Sequence, residues 1–304
     1  MKRLFLAAAA VLSFPAAAAA VEPCPSGLND GKRITVLVEG EGPDVVLIPG
    51  LSTPRAVWDA TAARLKATHR LHIVQIRGFG DDAGINAEGP VLEPMIREVA
   101  DYIDDCITDQ GRPAPAIIGH SMGGLTGLMI AARAPQEVGK LMIVDAVPFI
   151  GTIFFPGATV EIMKPQAEAM AASMRAMHGR AWPEGPVADS GEVGPLGRMS
   201  NSADGRIQVT GWTRQSDMRV TAQVLLEVMT TDLRSELAQV QAPVTLLYAQ
   251  DDAVMPAAMA TAAFEPPYAG TPRFKAEMVA GSRHFIMLDQ PEAFAAAVDA
   301  FLAE

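Results

Sequence analysis

Short apolar runs alternate with stretches of helical spacing along most of this chain, and that alternation leaves few folds open to it. Val45, Val46, Leu47 and Ile48 form one such run, stopped by Pro49 and Gly50, and residues 33–38, 71–76, 116–119, 141–144, 244–248 and 274–279 read as further strands. A strand that is apolar at every position suits a sheet covered on both faces. Between the runs, residues 54–66, 91–108, 122–133 and 292–302 read as helices; in the second, Met95, Val99, Tyr102, Ile103 and Cys106 line one side. Strands separated by helices imply parallel pairing through right-handed crossovers, so the expected class is α/β, a mostly parallel central sheet with helices on both faces.

Residues 148–238 break the rhythm. Met163, Met170, Met174 and Met177 recur there at helical spacing, and a Gly/Pro/Ser-rich stretch follows at 183–205. This reads as a largely helical cap inserted into a core made of residues 21–147 and 239–304. Methionine at such positions packs, and it also adapts to varied apolar ligands.

Residues 1–20 open with Lys2 and Arg3, continue through a short apolar stretch interrupted by Ser13 and Pro15, and end in small residues. That is the pattern of a secretory signal peptide, too short to remain as a membrane anchor. The expected location is therefore periplasmic or secreted. Cleavage would leave 22 basic against 35 acidic residues, a net charge of −13, which makes nucleic acid an improbable partner. The two cysteines, Cys24 and Cys106, could form a disulfide after export, but their separation leaves the pairing open. Neither the cysteines nor the scattered histidines have metal-ligand spacing, and Gly78-Phe79-Gly80 is no dinucleotide fingerprint, so no metal or cofactor is expected. Oligomeric state is not legible.

Chemistry concentrates at Gly119-His120-Ser121-Met122-Gly123, a G-x-S-x-G between a buried strand and a helix. A serine on so tight a turn presents its hydroxyl at the C-terminal edge of the sheet, and the flanking glycines give the backbone room. Such a hydroxyl needs a positioned base, and there are five histidines to choose from. His69 and His72 belong to the entry end of an early strand and His178 to the cap, while alternation turns His120 away from Ser121. His284 remains, on a loop between the last strand and the last helix, returning to the edge where Ser121 opens. The acid that orients His284 should follow a neighbouring strand. Asp252 is preferred, Asp251 is its near alternative, and Asp145 at the end of the preceding strand is a third. Backbone N–H groups of Leu51, in the Pro49–Ser52 turn, and of Met122, at a helix N-terminus, are the expected oxyanion donors.

Taken together, residues 45–50, Arg77-Gly78-Phe79-Gly80-Asp81, residues 119–124, residues 242–256 and Gly281-Ser282-Arg283-His284 resemble the α/β-hydrolase superfamily over nearly all of the mature chain. The resemblance implies a serine hydrolase. It also supports Asp252, because the usual G-x-x-D maps onto Ala249-Gln250-Asp251-Asp252, although alanine stands at the glycine position and Pro49 where many members carry a histidine. The function so implied is hydrolysis of a small to medium apolar carboxylic ester through an acyl-enzyme. Lactonase, thioesterase, aminopeptidase and acyltransferase chemistry on the same triad are the alternatives, and a non-catalytic binding protein is the remaining one. Haloalkane dehalogenases, similar in fold, are disfavoured because their nucleophile is an aspartate.

Overall fold

The computed structural model describes residues 24–182, 186–189, 191 and 196–304; the leader expected at 1–20 lies outside them. Eight strands form one sheet: β1 Gly27–Asp30, β2 Ile34–Glu39, β3 Asp44–Ile48, β4 Arg70–Ile76, β5 Ala116–His120, β6 Lys140–Val144, β7 Val244–Gln250 and β8 Phe274–Ala280. Their spatial order is β1-β2-β4-β3-β5-β6-β7-β8. From β4 to β8 every pairing is parallel, as the alternation of strands and helices requires.

Parallel pairing does not extend to the N-terminal end, where β1 pairs antiparallel with β2 and β2 antiparallel with β4. The physical reason is connection length. Only residues 31–33 join β1 to β2 and only 40–43 join β2 to β3, far fewer than a parallel crossover needs. β1 itself had no sequence signal, being four residues of mixed exposure.

Side-chain alternation splits the core in two. Val46, Ile48, Ile117 and Ile143 face one layer of helices, while Val45, Leu47, Ile118, Met142 and Val144 face the other. The helix Met122–Arg133 is buried along Met122 to Ala132, which makes it the centre of the first layer. The expected helix over 91–108 is α-helical only as Leu92–Ile103 and ends in a π-turn, Asp104–Thr108. Cys106 sits in that turn and is disulfide-bonded to Cys24, with Cα atoms 5.4 Å apart. The bridge ties the residues ahead of β1 to the helical layer.

Between β6 and β7 the chain forms the helices Gly151–Phe154, Val160–Arg175, Ala203–Gln215 and Met218–Thr230. Met163 packs with Phe149, Ala158, Ala167 and Met229 in a small cluster of its own, whereas Met170 and Met177 are exposed. Among the described residues, no helix is long and apolar enough to cross a membrane.

Candidate active site

Strand order places a switch point between β3 and β5: the chain passes from β3 to β4 on one side, then returns to β5 on the other. Clefts at the C-terminal ends of such strands are where open α/β sheets bind ligands. Register brings the turns together. Ile48 of β3 is opposite Gly119 of β5, and His120 is opposite Val144 of β6, so the residues after β3, β5 and β6 meet at one edge.

Ser121 follows β5 with φ 53° and ψ −119°, a conformation that non-glycine residues rarely adopt. Its N–H donates to the Val144 carbonyl at 2.8 Å, which fastens the turn to the neighbouring strand. The two motif glycines make the turn possible. A Cβ on Gly119 would collide with the Gly123 carbonyl, and one on Gly123 would collide with the carbonyls of Ile48 and Pro49. Met122 N–H opens the helix Met122–Arg133, so it is one of the donors that a helix start leaves unused and lies at the positive end of the helix dipole.

The turn after β3 lies directly against this serine. A Cβ on Gly50 would be 3.2 Å from Ser121 Cβ and 2.9 Å from His120 Nδ1. Leu51 follows, and no hydrogen bond among the described residues uses its N–H. Of the two expected oxyanion donors, Met122 N–H is next in the chain to Ser121 and Leu51 N–H follows the glycine that packs against it.

His284 sits on the loop after β8. That loop is anchored by Ser282 N–H to the Gln250 carbonyl at 3.0 Å, by Arg283 N–H to Asp289 at 2.8 Å, and by Phe285 N–H to the Met199 carbonyl at 2.9 Å. The His284 ring is at the edge where Ser121 opens, its centroid 4.7 Å from that of His120.

The carboxylate on His284 is that of Asp145, not Asp252. Asp145 Oδ2 is 2.7 Å from His284 Nδ1, while Oδ1 accepts the Ala249 N–H at 2.8 Å, so both oxygens are oriented. Asp145 has φ 52° and its own N–H bonds the Leu247 carbonyl at 2.7 Å. Asp252 is exposed and, among the described residues, accepts only from Gln250 Nε2, at 2.7 Å. Asp251 does not reach His284 either. It pairs with Arg283 Nε at 2.7 Å and caps its own turn through Ala253 N–H. Burial raises its carboxyl, but the Ala253 and Arg283 hydrogen bonds and the Arg283 charge outweigh that and hold it below the usual value. Local hydrogen bonds explain the outcome. Asp145 is braced against β7 through the Ala249 N–H and the Leu247 carbonyl, which leaves Oδ2 for His284, whereas Asp251 is held by Arg283 and Asp252 by Gln250.

His120 is a residue that sequence reasoning passed over. Its ring comes to rest against the His284 loop, fully buried, with Nε2 3.0 Å from the His284 carbonyl. An acceptor there requires the hydrogen on Nε2. Burial, then the charge of His284, hold the His120 pKa well below 6.5 against the raising effect of the carbonyl bond, so the ring is neutral. A one-dimensional pattern carries no sign of this, because it depends on where a loop 164 residues away returns. Of the other histidines, His72 is bonded to Asp44 at 2.9 Å and to Tyr102 at 2.8 Å, His69 to Thr68, and His178 lies 3.4 Å from Asp217. A cleft of about 690 Å³ lined by Asp44, Arg112, Lys140 and Phe301 lies at the opposite, N-terminal edge of the strands and has no part in this arrangement.

Comparison with known families decides the class. A family model described as the alpha/beta hydrolase family matches residues 45–297, which takes in Leu51, Ser121, Met122, Asp145, Asp251, Asp252 and His284. The chain belongs to the alpha/beta hydrolase family. Among curated relatives, the pimeloyl-[acyl-carrier protein] methyl ester esterase of Nitrosomonas europaea is 26% identical over 276 residues, spanning 88% of this chain and 98% of its own length. Among solved structures, a thermophilic esterase from Thermogutta terrifontis aligns with a TM-score of 0.69 at 20% identity, over 89% of this chain and 93% of its own. The enol-lactonase from Burkholderia xenovorans aligns at 0.65 and 19%, over 89% and 96%. Identities this low speak to the fold of an alpha/beta hydrolase, within which substrates vary widely.

Proposed function

We propose that this alpha/beta hydrolase is an exported serine esterase that cleaves small to medium apolar carboxylic esters through an acyl-enzyme. One observation carries the reading: His284 Nδ1 is held 2.7 Å from Asp145 Oδ2 at the same sheet edge as the positive-φ Ser121. With Nδ1–H donated to the carboxylate, Nε2 is left as the basic nitrogen. It takes the Ser121 hydroxyl proton as Oγ attacks the ester carbonyl. The N–H groups of Leu51 and Met122 receive the oxyanion. Collapse of the tetrahedral intermediate transfers the proton to the departing alcohol, and water repeats the sequence on the acyl-enzyme. Asp145 orients the ring and stabilises the imidazolium without itself taking the proton.

The ester bond as substrate is supported by the names of the relatives: a methyl ester esterase, an esterase and an enol-lactonase all act on an acyl–oxygen bond. Export is supported by the leader pattern and by the Cys24–Cys106 disulfide, which suits an oxidising compartment. The test is labelling with a fluorophosphonate, together with turnover of short-chain p-nitrophenyl esters. Wild type should be labelled and active, and Ser121→Ala should be neither; labelling that persists in Ser121→Ala would remove the nucleophile from this role. A panel of lactones and thioesters ranks the other acyl bonds against the simple ester.

A further inference from the structure

The turn that carries Leu51 is held from three sides. Gly50 packs against Ser121 and His120, the Thr53 hydroxyl donates to the Leu51 carbonyl at 3.0 Å, and the Ser52 hydroxyl shares a hydrogen bond of 2.8 Å with the hydroxyl of Thr221. The first two contacts are local to the core. The third crosses to the insertion, 169 residues away.

Ser52 has φ 52°, in the left-handed region, where a serine stays only if its surroundings hold it. Ser52 is 8% exposed and Thr221 is 3% exposed, so each hydroxyl depends on the other in place of water. Thr221 belongs to the first turn of the helix Met218–Thr230, where its N–H bonds the Asp217 carbonyl at 2.9 Å. The start of that helix is fastened to the core a second time. Asp217 N–H donates to the Gly78 carbonyl at 2.7 Å, and Ser216 pairs with Phe79. Val220 sits so close to Gly78 that a Cβ there would be 2.8 Å from its methyl group. The helix start therefore has one defined seat, and Thr221 transmits that seat to Ser52.

We propose that Thr221 is a positioning residue for the oxyanion turn: through Ser52 it fixes the aim of the Leu51 N–H and couples the seating of the insertion to transition-state stabilisation. This rests on the serine-esterase reading above. A donor aimed at charge that exists only in the tetrahedral state contributes to kcat and hardly to substrate binding. Losing the Ser52–Thr221 bond should therefore act on kcat.

Four proteins test this, wild type, Thr221→Val, Thr221→Ser and Ser52→Gly, with p-nitrophenyl butyrate as substrate. Phenylboronic acid serves as the inhibitor because its tetrahedral serine adduct places an oxygen where the oxyanion forms. Misaiming a donor is worth less than deleting one, so Thr221→Val should lower kcat about tenfold and raise the boronate Ki by about the same factor, with KM within about twofold. Thr221→Ser, which keeps the hydroxyl, should restore both values to near wild type. Unchanged kcat in Thr221→Val, a loss confined to KM, or no recovery in Thr221→Ser overturns the proposal. If Thr221→Val does not fold, Ser52→Gly decides in the same way, since glycine accepts the positive φ while removing the same bond. Wild type that neither hydrolyses the ester nor takes a fluorophosphonate label defeats the esterase reading itself. A labelled, active wild type beside an unaltered Thr221→Val defeats only the coupling.

Discussion

Replacing Asp145 by asparagine separates the acid seen on His284 from the one that residue order favoured. The backbone should tolerate the change, because asparagine is among the residues most at ease at the positive φ that Asp145 adopts. The hydrogen bonds decide the effect. In the native site Oδ1 accepts from Ala249 N–H and Oδ2 from His284 Nδ1–H. An asparagine that keeps its carbonyl on Ala249 N–H must turn its NH₂ toward His284, which then has to present a bare Nδ1. The hydrogen moves to Nε2, the nitrogen that should receive the Ser121 proton, and the base is in the wrong tautomer. Loss of that orientation in a Ser-His-Asp site costs on the order of 10⁴ in kcat, or about 5 kcal/mol in the barrier. Steady-state hydrolysis of p-nitrophenyl butyrate, normalised by fluorophosphonate titration and checked by thermal melting, measures it. Asp252→Asn, at an exposed side chain bonded to Gln250, should stay within about twofold of wild type. A collapse of activity in Asp252→Asn with Asp145→Asn nearly unaffected would refute the assignment.

Two further outcomes concern stability. Burial holds the pKa of His72 below the ordinary 6.5 and that of His120 well below it, so the folded chain binds their protons less tightly than the unfolded chain, which takes them up as pH falls through that value. Stability should therefore be full above pH 6.5 and decline below it, with a limiting slope of about 1.4 kcal/mol per pH unit for each histidine; urea unfolding at pH 7.5 and 5.5 reads this, and a flat or rising midpoint would contradict it. The Cys24–Cys106 bridge closes a separation of 82 residues, so replacing both cysteines by serine should lower unfolding free energy by about 3–4 kcal/mol, and an unchanged denaturation midpoint would show that the bridge does not constrain the unfolded chain.

What residue order determined by itself was everything set within a few positions of the chain. Strands apolar at every position, helices between them and a serine framed by Gly119 and Gly123 are local patterns, and they delivered the parallel core, the elbow at Ser121 and the loop position of His284. The tertiary structure alone decided what depends on register between distant segments. Asp145 and Asp252 each follow a strand, and residue order favoured Asp252; which of them meets His284 is decided by the hydrogen bonds that brace Asp145 against β7 and hold Asp252 on Gln250. The same holds for the Cys24–Cys106 pairing, for His120 against a loop that returns 164 residues later, and for the Ser52–Thr221 bond between the turn after β3 and the helix Met218–Thr230. Backbone preference and burial period act over one turn or one strand, whereas a hydrogen bond between side chains is set by the packing of the whole sheet, which no local stretch of sequence contains.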